Sequence, residues 1–400
     1  MSEHLEDRVL GLLLGSFIGD AVGGPVEFQD PDDVQALENP PKRWQPGEKL
    51  DTHAITAASE RLTLRPYAPL RTDPEPYGQW AANAPAGTFT DDSRLKLILL
   101  AALRRDAESG RRQLDAEMFA RETLGWRDSS AVAGNPAYQE ICDEWLAEWK
   151  YASRWVLGER DPVSARPPVR LWGGVPTCAG QMISPPLAAL FPGKPLEAYR
   201  VAHTIGYFDN GFARDLNASI VAGLACALTA EAGTDRSARR EAWAGVLETM
   251  RSVDPFGYAQ VPWVTRSTER YLDLAGQLVQ EANGEPARLF AGFDREFGQA
   301  IKWEAQVPFV VAFSCIAMCD QDPLASMQLS IEWGHDTDSY AQLAGALVGA
   351  LYGASIFPDE IGATVLDRVK TDFATDLSVE GNWLARQSHQ AAGPIGPESK

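Results

Sequence analysis

Two short acidic turns carry the chemistry open to this sequence. Thr90-Asp91-Asp92-Ser93 stands before the apolar run Leu95–Leu100, and Asp336-Thr337-Asp338-Ser339 follows Gly334-His335 and precedes Leu343–Val348. Each sets hydroxyls and carboxylates into one turn where a loop enters an apolar helix. Taken alone, either turn reads as a helix N-terminus, with Thr90 or Asp91 as the cap and the other acids favoured by the helix dipole. Adjacent carboxylates repel one another, however, and in apolar surroundings they need a donor or a cation. Arg94 is the only basic residue next to either cluster, and one arginine does not neutralise both pairs of acids. If the turns converge, they form a pocket of hard oxygen ligands suited to Mg²⁺ or Mn²⁺. A third acid, Glu27, follows Gly23-Gly24-Pro25-Val26, which ends a helix and presents the carboxylate in an apolar turn; a solvated surface acid fits that local pattern equally well.

The elements that must position these turns are helical. Periodicity predicts helices over about 6–22, 93–108, 114–124, 135–156, 213–231, 236–252, 265–282, 307–320, 324–333, 339–354 and 359–372. Short alternating β-branched runs are nearly absent, so the expected fold is all-α, a compact helix bundle with long loop excursions. Gly11, Gly15, Gly19 and Gly23 recur every fourth residue, as do Ala341, Gly345, Gly349 and Gly353. A glycine inside a helix costs up to about 1 kcal/mol relative to alanine. Flat glycine stripes therefore predict close backbone packing at the centre of the bundle, with the acidic turns near its core. Segments 28–88 and 157–193, rich in Pro, Gly and Trp, read as long surface excursions of the kind that form lids. No linker or repeat divides the chain, which predicts one domain over 1–385 and a disordered polar tail over 386–400.

Composition narrows the partners. With 36 Lys and Arg against 55 Asp and Glu, the net charge of −19 repels nucleic acid and anionic membranes. The first residues lack a basic n-region, and no run reads as a membrane span. Five scattered cysteines argue against a disulfide framework and for a reducing, cytoplasmic setting. Cys315 and Cys319 share a helix face and, with no histidine nearby, read as small core residues.

In order along the chain, Gly19-Asp20-Ala21-Val22-Gly23-Gly24-Pro25-Val26-Glu27, then Thr90 to Ser93, then Gly334 to Gly353 resemble the three hallmark segments of the ADP-ribosylglycohydrolase family. The resemblance spans about 10–355. It implies an all-α fold of that type and a glycosidase that cleaves an ADP-ribosyl bond of a modified protein or small molecule. It also implies a binuclear site for two Mg²⁺ (or Mn²⁺) ions, with Thr90, Asp91, Asp92, Asp336, Asp338 and Ser339 at the ligand positions. Glu27, Asp91 and Asp338 would carry the catalysis, Glu27 matching the acid that acts on the glycosidic bond or its attacking water. The implied partner is an ADP-ribosylated substrate or ADP-ribose-like molecule, with the protein a monomer or small homo-oligomer.

The chain also departs from that pattern. Where the family carries N-G-[SA]-x-M-R-x-x-P, this chain has Cys178-Ala179-Gly180-Gln181-Met182-Ile183-Ser184-Pro185-Pro186, keeping Met182 and Pro186 only. Ala202-His203-Thr204-Ile205-Gly206 replaces a T-H turn, and His335 stands where glycine is usual. These segments line the substrate pocket in the family. The alternatives left open are hydrolysis of a different ribosyl or glycosyl substrate and a non-catalytic ADP-ribose-binding relative.

Overall fold

The computed structural model describes residues 3–67, 83–110, 114–233 and 235–387, and among these no β-strand forms. The architecture is all-α, as expected. Four helices position the acidic turns: α1 (Glu3–Gly23), α2 (Asp91–Glu108), α3 (Ala179–Ile183) and α4 (Thr337–Tyr352).

The glycine stripes explain how. α1 and α4 are apolar on every side, so neither has a face that prefers water, and both are buried along nearly their whole length. They pack antiparallel with the stripes in register. A Cβ on Gly11 would sit 2.4 Å from the Gly349 carbonyl oxygen, one on Gly15 2.2 Å from that of Gly345, and one on Gly19 2.1 Å from that of Ala341. At the end of the stripe, a Cβ on Gly23 would meet the Asp338 backbone at 2.5 Å. No side chain fits between the helices, and the burial gained by this approach offsets the cost of helical glycine. The register is also a ruler. Because Gly23 lies against Asp338, the end of α1 and the segment up to Glu27 are delivered to the second acidic turn. The Thr337 hydroxyl donates to Gly23 O at 2.9 Å, and Phe28 N donates to His335 O at 2.8 Å, tying the two together.

Several expectations need correction. Segment 157–193 is not all surface: α3 and the following turn Pro185–Ala188 are wholly buried, since Ala179, Ile183, Leu187 and Ala188 are small or apolar and prolines start the turn. Segment 28–88 carries helices at Pro31–Gln35 and Thr52–Glu60, each opened by an aspartate cap; its residues 68–82 lie outside the described residues. Further helices missed by periodicity occur at Pro195–Ile205, Pro286–Phe297 and Leu377–Gln387. The last of these includes Arg386 and Gln387 of the expected tail, whose remainder, 388–400, lies outside the described residues. Glu3–Val26 is, against expectation, long and apolar enough to cross a membrane, yet 94% of its apolar window is buried inside the fold. It is a core helix here because α4 covers it. Cys315 and Cys319 are buried and unpaired, as expected of small core residues.

Candidate active site

The two acidic turns converge, and neither spends Asp91, Asp92 or Asp336 as a helix cap. At α2 the cap is Thr90, whose hydroxyl oxygen accepts from Asp92 N at 3.4 Å. Asp20, one turn from the end of α1, accepts from Thr90 N at 2.8 Å and from Ser93 N at 2.9 Å. These bonds satisfy the orphan N–H groups of the helix start from outside it. At α4, Asp336 occupies the cap position but its side chain makes no capping bond. The turns are joined directly by the Thr90 hydroxyl, which donates to Asp338 Oδ2 at 2.6 Å.

Two carboxylate triads result. Oxygens of Glu27, Asp336 and Asp338 lie within 4.8 Å of one another, and so do oxygens of Asp91, Asp92 and Asp338. Asp338 belongs to both. Asp92, Asp336 and Asp338 are buried, whereas Glu27 and Asp91 are half-buried. The sequence-derived candidates Thr90, Asp91, Asp92, Asp336, Asp338 and Glu27 are therefore one cluster. Ser339, also buried, lies beside it, its hydroxyl 3.7 Å from Cys178 Sγ at the start of the divergent segment. Glu27 joins the ligand-like set rather than standing apart as an acid alone.

The electrostatics are unfavourable without a cation. Burial pushes the Asp92 carboxyl well above the ordinary range, and Asp338, Asp20 and Asp91 push it further. Asp336 is raised by burial and then by Asp338 and Glu27. Asp338 is raised to about 7 by burial and its acidic neighbours, against the Thr90 and Ser339 hydrogen bonds. Asp92 Oδ2 and Asp336 Oδ2 are buried with no hydrogen-bond partner. Orphaned carboxylate oxygens among hydroxyls and further carboxylates are a donor set that fits hard divalent cations.

Sequence reasoning named Arg94 as the basic residue next to the acids and overlooked Lys96. Arg94 donates to Phe89 O at 3.1 Å, and its guanidinium lies 5.4 Å from the Tyr138 ring centroid and 5.8 Å from that of Trp145. Lys96, one turn further along α2 and fully buried, is the positive charge that acts on Asp92, Asp20, Asp338 and Asp91. Its signal was a lysine inside the run Leu95-Lys96-Leu97-Ile98. Asp20 was missed likewise, although a carboxylate beside Gly19 in a packed glycine helix has no solvent to face. His335 adopts a left-handed backbone, φ 69°, next to Gly334 at φ 84°, which explains why glycine suits this position. Phe28, also left-handed at φ 48°, and Trp303 pair edge-on at 6.0 Å on the rim, 37% and 44% exposed. A separate cavity of about 1090 Å³, lined by Arg8, Leu351 and Tyr352 among others, lies at the opposite end of the α1–α4 pair and contains none of the candidate residues.

Fold and site together define an all-α protein with a buried oxygen-ligand centre at one end of a glycine-packed helix pair. The sequence profile of the ADP-ribosylglycohydrolase family matches residues 1–392, and the chain belongs to that family. Membership makes it an ADP-ribosylglycohydrolase-type hydrolase. Its fold is similar to a solved structure described as an ADP-ribosylglycohydrolase-related protein complex, with a TM-score of 0.52 at 17% identity, over 97% of this chain and 100% of that one. No curated protein matches the chain.

Proposed function

We propose that this protein is a metal-dependent glycosidase that hydrolyses the ribosyl bond of an ADP-ribosylated acceptor, with Thr90, Asp91, Asp92, Asp336, Asp338 and Ser339 holding two Mg²⁺ or Mn²⁺ ions. The observation that carries the reading is the pair of triads sharing Asp338, with Asp92 Oδ2 and Asp336 Oδ2 buried and unpartnered. Bound there, hard cations supply charge that grips ribose hydroxyls and polarises water. The chain's own groups do the rest. Glu27 and Asp91, half-buried, meet the sugar, while the buried acids stay beneath them. Glu27 accepts the proton of the attacking water or lends it to the leaving group. Nearby carboxylates stabilise the positive charge that develops on the ribosyl ring as the bond breaks. The reading carries with it one catalytic domain over 1–385 and a reducing, cytoplasmic setting.

A second reading, hydrolysis of a different ribosyl or glycosyl bond, is favoured by the divergent segment itself. Cys178 lies against Ser339, and its N–H donates to Trp303 O at 2.9 Å, so altered residues flank the reacting end directly. The deciding test is release of ADP-ribose from ADP-ribosylated arginine, serine and nucleobase with added Mg²⁺ or Mn²⁺. Chelator, Asp91→Ala and Glu27→Ala serve as controls. Release from one acceptor that all three controls abolish supports the proposal. Metal-dependent ADP-ribose binding without release from any acceptor replaces it with a non-catalytic binder.

A further inference from the structure

Arg8 is a buried charge that the acidic centre does not use. It stands in the second turn of α1, 2% exposed, and lines the cavity of about 1090 Å³ at the far end of the α1–α4 pair. Its Nη1 donates to Ala227 O at 3.2 Å, at the end of the helix Ala213–Ala227, and its Nε has no partner among the described residues. One neutral carbonyl leaves most of the five guanidinium N–H groups unanswered. The neighbouring Asp7 acts on Arg8 through space, but its Oδ1 already accepts from Ala354 N at 3.1 Å. Burial outweighs Asp7 and holds the guanidinium below its ordinary range. Two further donors border the same cavity. Arg239 Nε, on the helix Arg236–Ser252, and the Tyr352 hydroxyl, at the end of α4, are also buried without a partner among the described residues. A buried arginine with so few acceptors is costly, and its donors suit an oxyanion that comes from outside the fold.

We propose that this cavity is a second ligand site, where an alkyl monocarboxylate sets its carboxylate on Arg8 and its chain against the apolar lining. The rest of the lining selects that class. Leu62, Leu324, Ile356 and Ile361 supply aliphatic surface, the last three only partly buried by the core they pack on. Glu60, Asp322 and Glu360 also line the cavity, so a phosphate chain with several charges meets repulsion that a single carboxylate largely avoids. Asp322 has other partners than Arg8: its Oδ1 accepts from Ser59 Oγ at 2.7 Å and Ala325 N at 3.0 Å, and its Oδ2 lies 3.6 Å from Arg239 Nη1. A planar guanidinium matches a carboxylate with two parallel hydrogen bonds. The volume is at the upper end of the roughly 300–1,000 Å³ typical of small-molecule sites. No residue is shared with the two carboxylate triads, so the site does not depend on their chemistry.

The test is calorimetric titration of the full-length protein with octanoate, with octan-1-ol and inorganic pyrophosphate as comparisons. Octanoate is expected to bind about tenfold or more tightly than either, because only it joins one carboxylate to an alkyl chain. Arg8→Met, which keeps an apolar stem in place, should weaken octanoate by about tenfold or more and leave octanol unchanged, the loss expected of a charge-assisted pair. Ile361→Trp, on the helix Asp359–Phe373, fills the cavity from its apolar side; it should abolish octanoate binding and serves if Arg8→Met fails to fold. A wild type that does not bind octanoate overturns the proposal. Octanoate binding left unchanged by Arg8→Met, or by Ile361→Trp, also overturns it. Octanol held as tightly as octanoate removes the role of Arg8, and pyrophosphate held more tightly overturns the monocarboxylate class.

Discussion

Two sites of buried carboxylates in the molecule are treated oppositely. At Asp215, Arg266 closes a fully buried ion pair, its Nη2 2.6 Å and its Nε 3.0 Å from the two carboxylate oxygens. Tyr199 OH adds a donor at 2.6 Å and the Thr268 hydroxyl another at 3.2 Å. Nothing is left over. At the acidic centre, three buried aspartates share neutral donors and one unpaired lysine, and two carboxylate oxygens have no partner at all. A structural acid is saturated by matched donors when it is taken from water. An acid meant to meet something else is left with lone pairs to spare, and the fold must bear the repulsion meanwhile.

Four experiments break or sharpen that contrast, the largest effect first. Asp338→Asn removes the charge and one oxygen of the carboxylate common to both triads. Hydrolysis should fall by roughly three orders of magnitude and the Mg²⁺-induced rise in melting temperature should vanish, while the metal-free protein stays folded; an unchanged metal response would show that the open lone pairs are not ligands. Arg266→Ala attacks the saturated side and leaves Asp215 an uncompensated buried charge, so chemical denaturation should show a loss of about 3–5 kcal/mol, with no loss of metal response at temperatures where the variant remains folded. The third experiment is a pH series on metal-free protein. Asp338 is raised to about 7 from an ordinary 3.8, and Asp209, buried against Gly180 N and Asn217, is also raised to about 7. Between those values the folded state holds protons that the unfolded chain has released. The stability that these two groups contribute should therefore be fully present below about pH 4 and be lost as pH rises through about 7. Asp338→Asn should flatten part of the slope. The smallest effect is at the backbone that presents Asp336. His335→Gly relieves a left-handed residue but gives up the ring contact with Trp333 at 4.7 Å, for a net gain of about 0.5 kcal/mol in thermal unfolding.

Much of this was legible in the sequence because it is local. A period of about 3.6 marks helices, glycine at every fourth position marks a helix face with no side chains, and acids beside hydroxyls mark a turn. Those signals identified α1, α2 and α4 and every candidate of the acidic centre. Prediction weakened where composition misled. The Pro-, Gly- and Trp-rich stretch around α3 looks like surface, yet its small apolar residues fill the space beside the site. Short helices opened by proline or aspartate, such as Thr52–Glu60, lack enough turns for periodicity to register.

The sequence by itself determined the parts: two glycine-striped helices, two acidic turns, one acid after the first helix and an acidic, cysteine-poor composition. Tertiary structure decided the pairing. Only the antiparallel register of Gly15 against Gly345 and Gly23 against Asp338 brings the turns within reach of one another. Only that packing makes Asp338 common to both triads and turns Asp20 into the external cap of α2. Local pattern governs which dihedrals and faces a segment adopts. Which faces meet, and what charge then lies beside what, depends on contacts between residues hundreds of positions apart, and no local spacing encodes those.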